Sequence, residues 1–156
     1  MGIQPHPRSG MSWSAMRKLL EQENICDSLK GRIQYFQTRY RGAHDQRGRV
    51  AVRLDGKEIF KADFFDCADG FNSYGQAWVE SSFYRAFYDY HNSSIDKSLE
   101  SSDPVVRLFA IIDKRVGKRR LDKLLFEVEK QPAWLQVFYK LQLEADGISS
   151  DKTRIV

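Results

Sequence analysis

The sequence predicts an α+β protein: an N-terminal helix, a three-stranded antiparallel meander and a C-terminal helical bundle. Three observations carry this. Apolar and polar residues alternate only between residues 32 and 64, an Asp55-Gly56 pair sits between two alternating runs, and after Gly70 the apolar spacing becomes helical to the end. Strands in one group followed by helices in another argue for segregated α+β architecture rather than parallel α/β layers. A chain of 156 residues fits one domain and is long enough to bury a core. The expected organisation is a flexible tail over residues 1–11, a single domain over 12–148 and a frayed end over 149–156.

The first helix is predicted over residues 12–24. Ser12 or Ser14 can cap it, and Trp13, Met16, Leu19 and Leu20 form its apolar stripe. The first strand, residues 32–41, sorts Ile33, Tyr35, Gln37 and Arg39 to one side and Phe36, Thr38 and Tyr40 to the other. Residues 42–48 form a polar connection. The second and third strands span residues 49–54 and 57–64. Asp-Gly tolerates the positive φ angles of a type I′ turn, whose twist matches that of the flanking strands. A two-residue turn there pairs Leu54 with Lys57, Arg53 with Glu58, and Val52 with Ile59.

A long aromatic helix is predicted over residues 73–91, and Asn92, Ser93 and Ser94 interrupt it. A short helix follows over 95–100. Asp103-Pro104 then reads as N-cap and first helical residue of an apolar helix containing Val105, Val106, Leu108, Phe109, Ile111 and Ile112. Gly117 breaks the chain before a helix over 118–130 with Leu121, Leu124, Leu125 and Val128 on one face. Pro132 opens the last helix, whose stripe is Trp134, Leu135, Phe138 and Leu141, and Asp146-Gly147 stops it.

Composition narrows the class. Hydrophobic residues are 42% and charged residues 29%, ordinary for a globular protein. No apolar run approaches the roughly 20 residues that span a bilayer, and the first ten residues hold no apolar segment of a secretory signal. The two cysteines, Cys26 and Cys67, lack CxxC spacing, which points to a reducing compartment and a cytoplasmic location, while the sequence leaves a single Cys26–Cys67 bridge open.

Charge is the feature most informative about partners. Residues 30–53 carry seven bases against one acid, formally +6. Residues 58–103 carry nine carboxylates against three bases, formally −6, and residues 113–123 carry six bases against two acids, formally +4. The whole-chain charge of +4 hides this segregation, and blocks of one sign create local fields that select partners. On the strands, Arg39, Arg41, Arg49 and Arg53 are interleaved with Tyr and Phe. Guanidinium groups that hold phosphates beside rings that stack bases can bind single-stranded nucleic acid. The plainer alternative turns the aromatics into the core and leaves the arginines solvated or paired with the acidic block.

The second basic cluster holds Arg115, Lys118, Arg119 and Arg120, with Lys114 and Lys123. It lies at a junction of two helices that resembles a helix-turn-helix in outline. Lys114 and Arg115 suit the C-terminal dipole of the preceding helix. Arg119 and Arg120 stand where the next helix begins and the dipole disfavours cations, so they call for a partner or an intramolecular carboxylate.

Catalytic options are thin. His44-Asp45 falls in a polar loop. Asp63, Asp66 and Asp69 are three apart around Cys67, without the spacing of an EF-hand loop. Trp78, Tyr84, Phe87 and Tyr88 can line a groove, although an aromatic helix is more often buried on two sides. No catalytic residue, metal ligand or cofactor is assigned.

The segments Asp27-Ser28-Leu29-Lys30-Gly31-Arg32, Thr38-Arg39-Tyr40-Arg41, Asp55-Gly56-Lys57-Glu58 and Asp113-Lys114-Arg115-Val116-Gly117-Lys118-Arg119 together resemble a group of small conserved bacterial proteins of unknown function. The resemblance covers most of the chain after Met11. It implies a bacterial cytosolic protein and no activity, cofactor or functional residue. The expected function is non-catalytic binding of an acidic partner, nucleic acid ahead of an acidic protein, through Arg39, Arg41, Arg49, Arg53, Arg115, Lys118, Arg119 and Arg120. The alternative is a protein-interaction module, an adaptor or inhibitor-type partner, whose charge blocks pair within the chain or across a dimer.

Overall fold

The computed structural model describes residues 11–38, 49–62 and 80–147. Its order is an N-terminal helix, a meander and a run of helices, the α+β arrangement that the segregated periodicities predict. The first helix, α1, is Trp13–Lys18, and the Ser12 hydroxyl caps it by accepting from the Ala15 N–H at 3.1 Å. The predicted helix does continue, but as a π-helical turn over Leu19–Glu23, closed by the Asn24 N–H donating to the Leu19 carbonyl at 2.8 Å. Along it Leu20 is buried, and the Glu21 carboxylate, paired with Arg17, accepts the Tyr35 N–H at 2.6 Å. A carboxylate thereby occupies a backbone donor on an edge strand that would otherwise be open to pairing.

The strands are β1 (Ile33–Thr38), β2 (Arg49–Leu54) and β3 (Lys57–Ala62), in the order β1-β2-β3 with both pairs antiparallel. Asp55 and Gly56 have φ of 53° and 84°, as a type I′ turn requires. The register begins as expected, with Leu54 opposite Lys57 and Arg53 opposite Glu58. It then shifts, and Val52 faces Phe60 rather than Ile59. The irregularity between Val52 and Arg53 inserts one extra residue on β3, a bulge that hairpin counting from the turn does not foresee.

One sheet face carries Ile33, Tyr35, Val50, Val52 and Leu54 into the core. It packs on α2 (Glu80–His91) and α4 (Pro104–Ile111), where the Phe109 ring meets those of Tyr35, Phe83, Phe87 and Tyr90 at centroid distances of 5.4–6.3 Å. Tilted and edge-on ring pairs of this kind add to the gain from burial. α4 is apolar nearly all round because it is covered on several sides, by the sheet, α2, α3 (Ile95–Leu99) and α6 (Ala133–Ala145). Asp103 caps α4 through the Val105 N–H at 2.9 Å, with Pro104 at its first position.

The helix predicted over 118–130 is α only in α5, Lys118–Leu124; it tightens to a 3-10 helix over Leu125–Lys130. The tightening rotates the stripe. Leu121 and Val128 are buried, Leu124 and Leu125 only partly, and Phe126 is left 69% exposed. In α6 the predicted stripe holds for Trp134, Leu135 and Phe138, while Tyr139, Gln142 and Leu143 are buried and Leu141 only partly. The expected extensions of β1 to Arg41, of β3 to Phe64 and of α2 back to Ser73, and both terminal segments, lie outside the described residues. No helix among the described residues is long and apolar enough to cross a membrane.

Candidate functional site

The C-terminal basic cluster occupies the corner between α4 and α5, residues 112–117 and the first turn of α5. Backbone pairing anchors this corner to the N-terminal segment. The Cys26 N–H donates to the Ile112 carbonyl at 2.9 Å and the Lys114 N–H to the Asn24 carbonyl at 2.7 Å, around an antiparallel bridge of Ile25 with Asp113.

Asp113 is the pivot and is 1% exposed. Its carboxylate accepts from the Arg115 N–H at 2.8 Å, from Arg115 Nε at 3.0 Å and Nη2 at 2.7 Å, and from the Tyr90 hydroxyl. Asn24 Nδ2 in turn donates to the Tyr90 oxygen at 3.0 Å. Burial pushes the Asp113 carboxyl up, but the bonds from Arg115 and Tyr90 outweigh it and hold the group below the usual carboxylate range. The Tyr90 hydroxyl is pushed up by burial and by its bond to Asp113. The bidentate pairing with Asp113 raises the Arg115 guanidinium further still.

Arg120 reaches from α5 to α3. Its Nε and Nη2 donate to the two Asp96 oxygens at 2.7 and 3.2 Å, and Nη1 donates to the Arg115 carbonyl at 3.1 Å. The hydrogen bond from Arg120 lowers the Asp96 carboxyl. This is the intramolecular carboxylate that a cation at an unfavourable helix start calls for. Arg119 and Lys118 have no such partner; with Lys114 and Lys123 they are exposed and take part in no ion pair among the described residues. Asp122 is exposed one turn on from Lys118.

The sheet candidates fare differently. Arg53 lies with its guanidinium carbon 4.0 Å from the Phe36 ring centroid, on the face turned away from Tyr35 and the core. Arg49 stands opposite Thr38 in the register. Arg39 and Arg41 lie outside the described residues, as do His44, Asp45, Asp63, Asp66, Cys67, Asp69 and Trp78. Tyr35 goes into the core, so only Phe36 of the described β1 aromatics keeps company with an arginine. Arg32, at the foot of β1, forms a bidentate pair with Asp55 at 3.0 and 2.9 Å, and that hydrogen bonding lowers the Asp55 carboxyl. Among the described residues no hydrogen bond or ion pair joins Arg53 to the helix corner. The structure thus brings Arg115 and Arg120 together, through the bond from Arg120 Nη1 to the Arg115 carbonyl.

Of the aromatic residues considered for a groove on the long helix, Trp78 lies outside the described residues, and the described ones mostly turn into the core. Phe83, Tyr84, Phe87 and Tyr90 are buried, and Tyr88 is 41% exposed. His91 stacks on Phe87 at 5.3 Å. Cys26 is a free thiol that donates to Gln142 Oε1 at 3.3 Å. No group of three His, Cys, Asp or Glu side chains able to hold a metal ion occurs among the described residues.

Two features escape sequence reasoning. One is the Tyr90–Asp113 link. The Asp113–Arg115 half was accessible as an aspartate bonding the backbone two residues on, but nothing local points to Tyr90. The other is an open cleft of about 730 Å³ beside the corner, lined from α3, α4, α5 and the 3-10 helix by residues that include Asp96, Arg107, Arg120, Lys123 and Lys130.

Comparison with curated proteins and with solved structures finds no match. One family model, described as the SF0329 protein family, matches residues 12–72 and 67–143. These stretches take in the meander, the Asp113 pivot, the basic corner and most of α6, and the chain belongs to the SF0329 protein family.

Proposed function

We propose that this protein is a non-catalytic interaction module that recognises an acidic partner, and that the partner is a protein surface rather than nucleic acid. One observation carries the reading: Arg120 of the basic block is held by Asp96 of the acidic block, beside Arg115 held by Asp113. A phosphate-binding face needs its cations exposed and of one sign. Here two of the corner's arginines are already engaged by aspartates. What is left is a surface of Lys114, Lys118, Arg119 and Lys123 beside the exposed Asp122. Mixed charge of this kind fixes register and excludes wrong protein partners. The paired arginines also stiffen the corner, which lowers the ordering cost of docking. The free thiol of Cys26 supports a cytoplasmic location, and the resemblance to bacterial proteins supports a bacterial one.

Nucleic acid is the second reading. It is favoured by the three unpaired cations Lys114, Lys118 and Arg119 within six residues, and by Arg53 stacked on Phe36. The test runs both readings side by side. Labelled single- and double-stranded DNA and RNA are titrated at low and moderate salt, and nuclease-treated native lysate is passed over the wild type and over a Lys118→Glu/Arg119→Glu variant. The expected result is an acidic protein retained by the wild type and lost by the variant, with weak, unsaturable nucleic-acid binding. Saturable nucleic-acid binding that falls steeply with salt, and no differential protein capture, would overturn the proposal in favour of the second reading.

A further inference from the structure

Glu100 and Ser101 line both the cleft beside the corner and a second one of about 450 Å³. Each volume falls within the roughly 300–1,000 Å³ of ligand sites. The two ends differ in charge. At the α5 end Arg120 is engaged by Asp96 and Lys130 by Glu127 at 3.4 Å. Arg107 donates to neutral groups, Gln131 Oε1 at 2.9 Å and the Ser101 carbonyl at 2.7 Å, which fixes its guanidinium in place, within electrostatic reach of Asp103. Lys123 makes no ion pair among the described residues.

At the α2 end the lining carries Asp89 and Lys97, with Glu100 shared by the two clefts, and none of the three is in an ion pair among the described residues. The Ser98 hydroxyl also lines that end. It is 2% exposed and has no hydrogen-bond partner among the described residues. A buried hydroxyl without a partner costs free energy and is ready to bond an incoming amide or carbonyl.

We propose that the two clefts form one groove that binds an extended peptide segment of the protein partner. The segment places a carboxylate against Arg107 and Lys123 and a cation against Asp89 and Glu100. This rests on the interaction-module reading and names the partner's recognition element. The bipolar lining favours a peptide over a small organic anion, which would use only the basic end.

The experiment is selection of a random-peptide display library on the full chain, followed by calorimetric titration of the enriched synthetic peptides. Enriched peptides are expected to carry an acidic and a basic residue separated by a short spacer. Lys123→Glu and Glu100→Lys, both at exposed positions, should each weaken binding tenfold or more. The Lys123→Glu/Glu100→Lys double variant should select peptides of reversed polarity. Lys140→Glu, at an exposed position of α6 that lines neither cleft, should leave peptide affinity within twofold. No enrichment, enrichment insensitive to both single variants, or purely acidic peptides sensitive to Lys123→Glu alone would each overturn the proposal. If lysate capture depends on Lys118 and Arg119 but not on Lys123, the groove assignment falls and the interaction module stands. If peptides bind as expected while no native partner is retained, the module reading falls instead.

Discussion

Replacing Asp113 by alanine tests the corner most directly. The carboxylate accepts four hydrogen bonds, three from Arg115 and one from Tyr90. Its removal leaves the buried Tyr90 hydroxyl without that acceptor, at a cost of about 1–3 kcal/mol. The guanidinium of Arg115 is about half exposed, at 49%, and water can take over its donors. Solvent screening therefore limits that half of the loss to about 1 kcal/mol. The expected total is about 2–4 kcal/mol, and for a chain of this size that lowers Tm by roughly 5–15 °C. Urea denaturation followed by tryptophan fluorescence measures it.

The pH dependence has a definite sign. The folded Asp113 carboxyl lies below its unfolded value of about 3.9, so the pair stabilises fully above about pH 4. Its contribution is lost as pH falls through the lower, folded value. The gap between wild type and Asp113→Ala should therefore be constant near neutrality and close below about pH 4. A loss under about 1 kcal/mol, or strict additivity of Asp113→Ala with Tyr90→Phe, would refute the argument, because groups in one hydrogen-bonded network couple.

Three further outcomes follow from the fold. Gly56→Ala should cost about 1 kcal/mol, all of it backbone strain, since a Cβ there meets nothing within 4 Å but φ is +84°; equal stability in urea melts would show that the hairpin relaxes to another turn. Gly117→Ser should stabilise by about 0.3 kcal/mol, because residue 117 is an extended N-cap with φ −101° and no side-chain hydrogen bond, and a serine hydroxyl can accept from the first turn of α5; a lowered urea midpoint would contradict this. Phe109→Ala should cost about 3–5 kcal/mol, since its ring packs against four others; a loss below about 2 kcal/mol would place the centre of the core elsewhere.

Legibility followed the range of the interaction. The Asp55-Gly56 turn, the Ser12 and Asp103-Pro104 caps and the apolar identity of α4 are choices made within four or five residues, and the sequence displays each of them. The bulge opposite Val52 was not legible, because a hairpin register is counted from its turn and an inserted residue leaves the turn unchanged. Nor was the π turn. Helical spacing marks which residues are apolar, but the change of pitch goes with burying Leu20 and bringing Glu21 to the Tyr35 N–H, fourteen residues on.

The functional reading divides in the same way. Segregated charge, a basic cluster around Gly117 and the need of Arg119 and Arg120 for a partner are properties of the chain alone, fixed by residue type and by position relative to a helix start. Which charges remain available is a property of the folded molecule. Asp96 lies 24 residues from Arg120, and Tyr90 lies 23 from Asp113; in each case the separation is closed by helices packing around α4. A charge count registers how many cations a segment has. Only packing, by bringing distant carboxylates within hydrogen-bonding distance, decides which of them are spent.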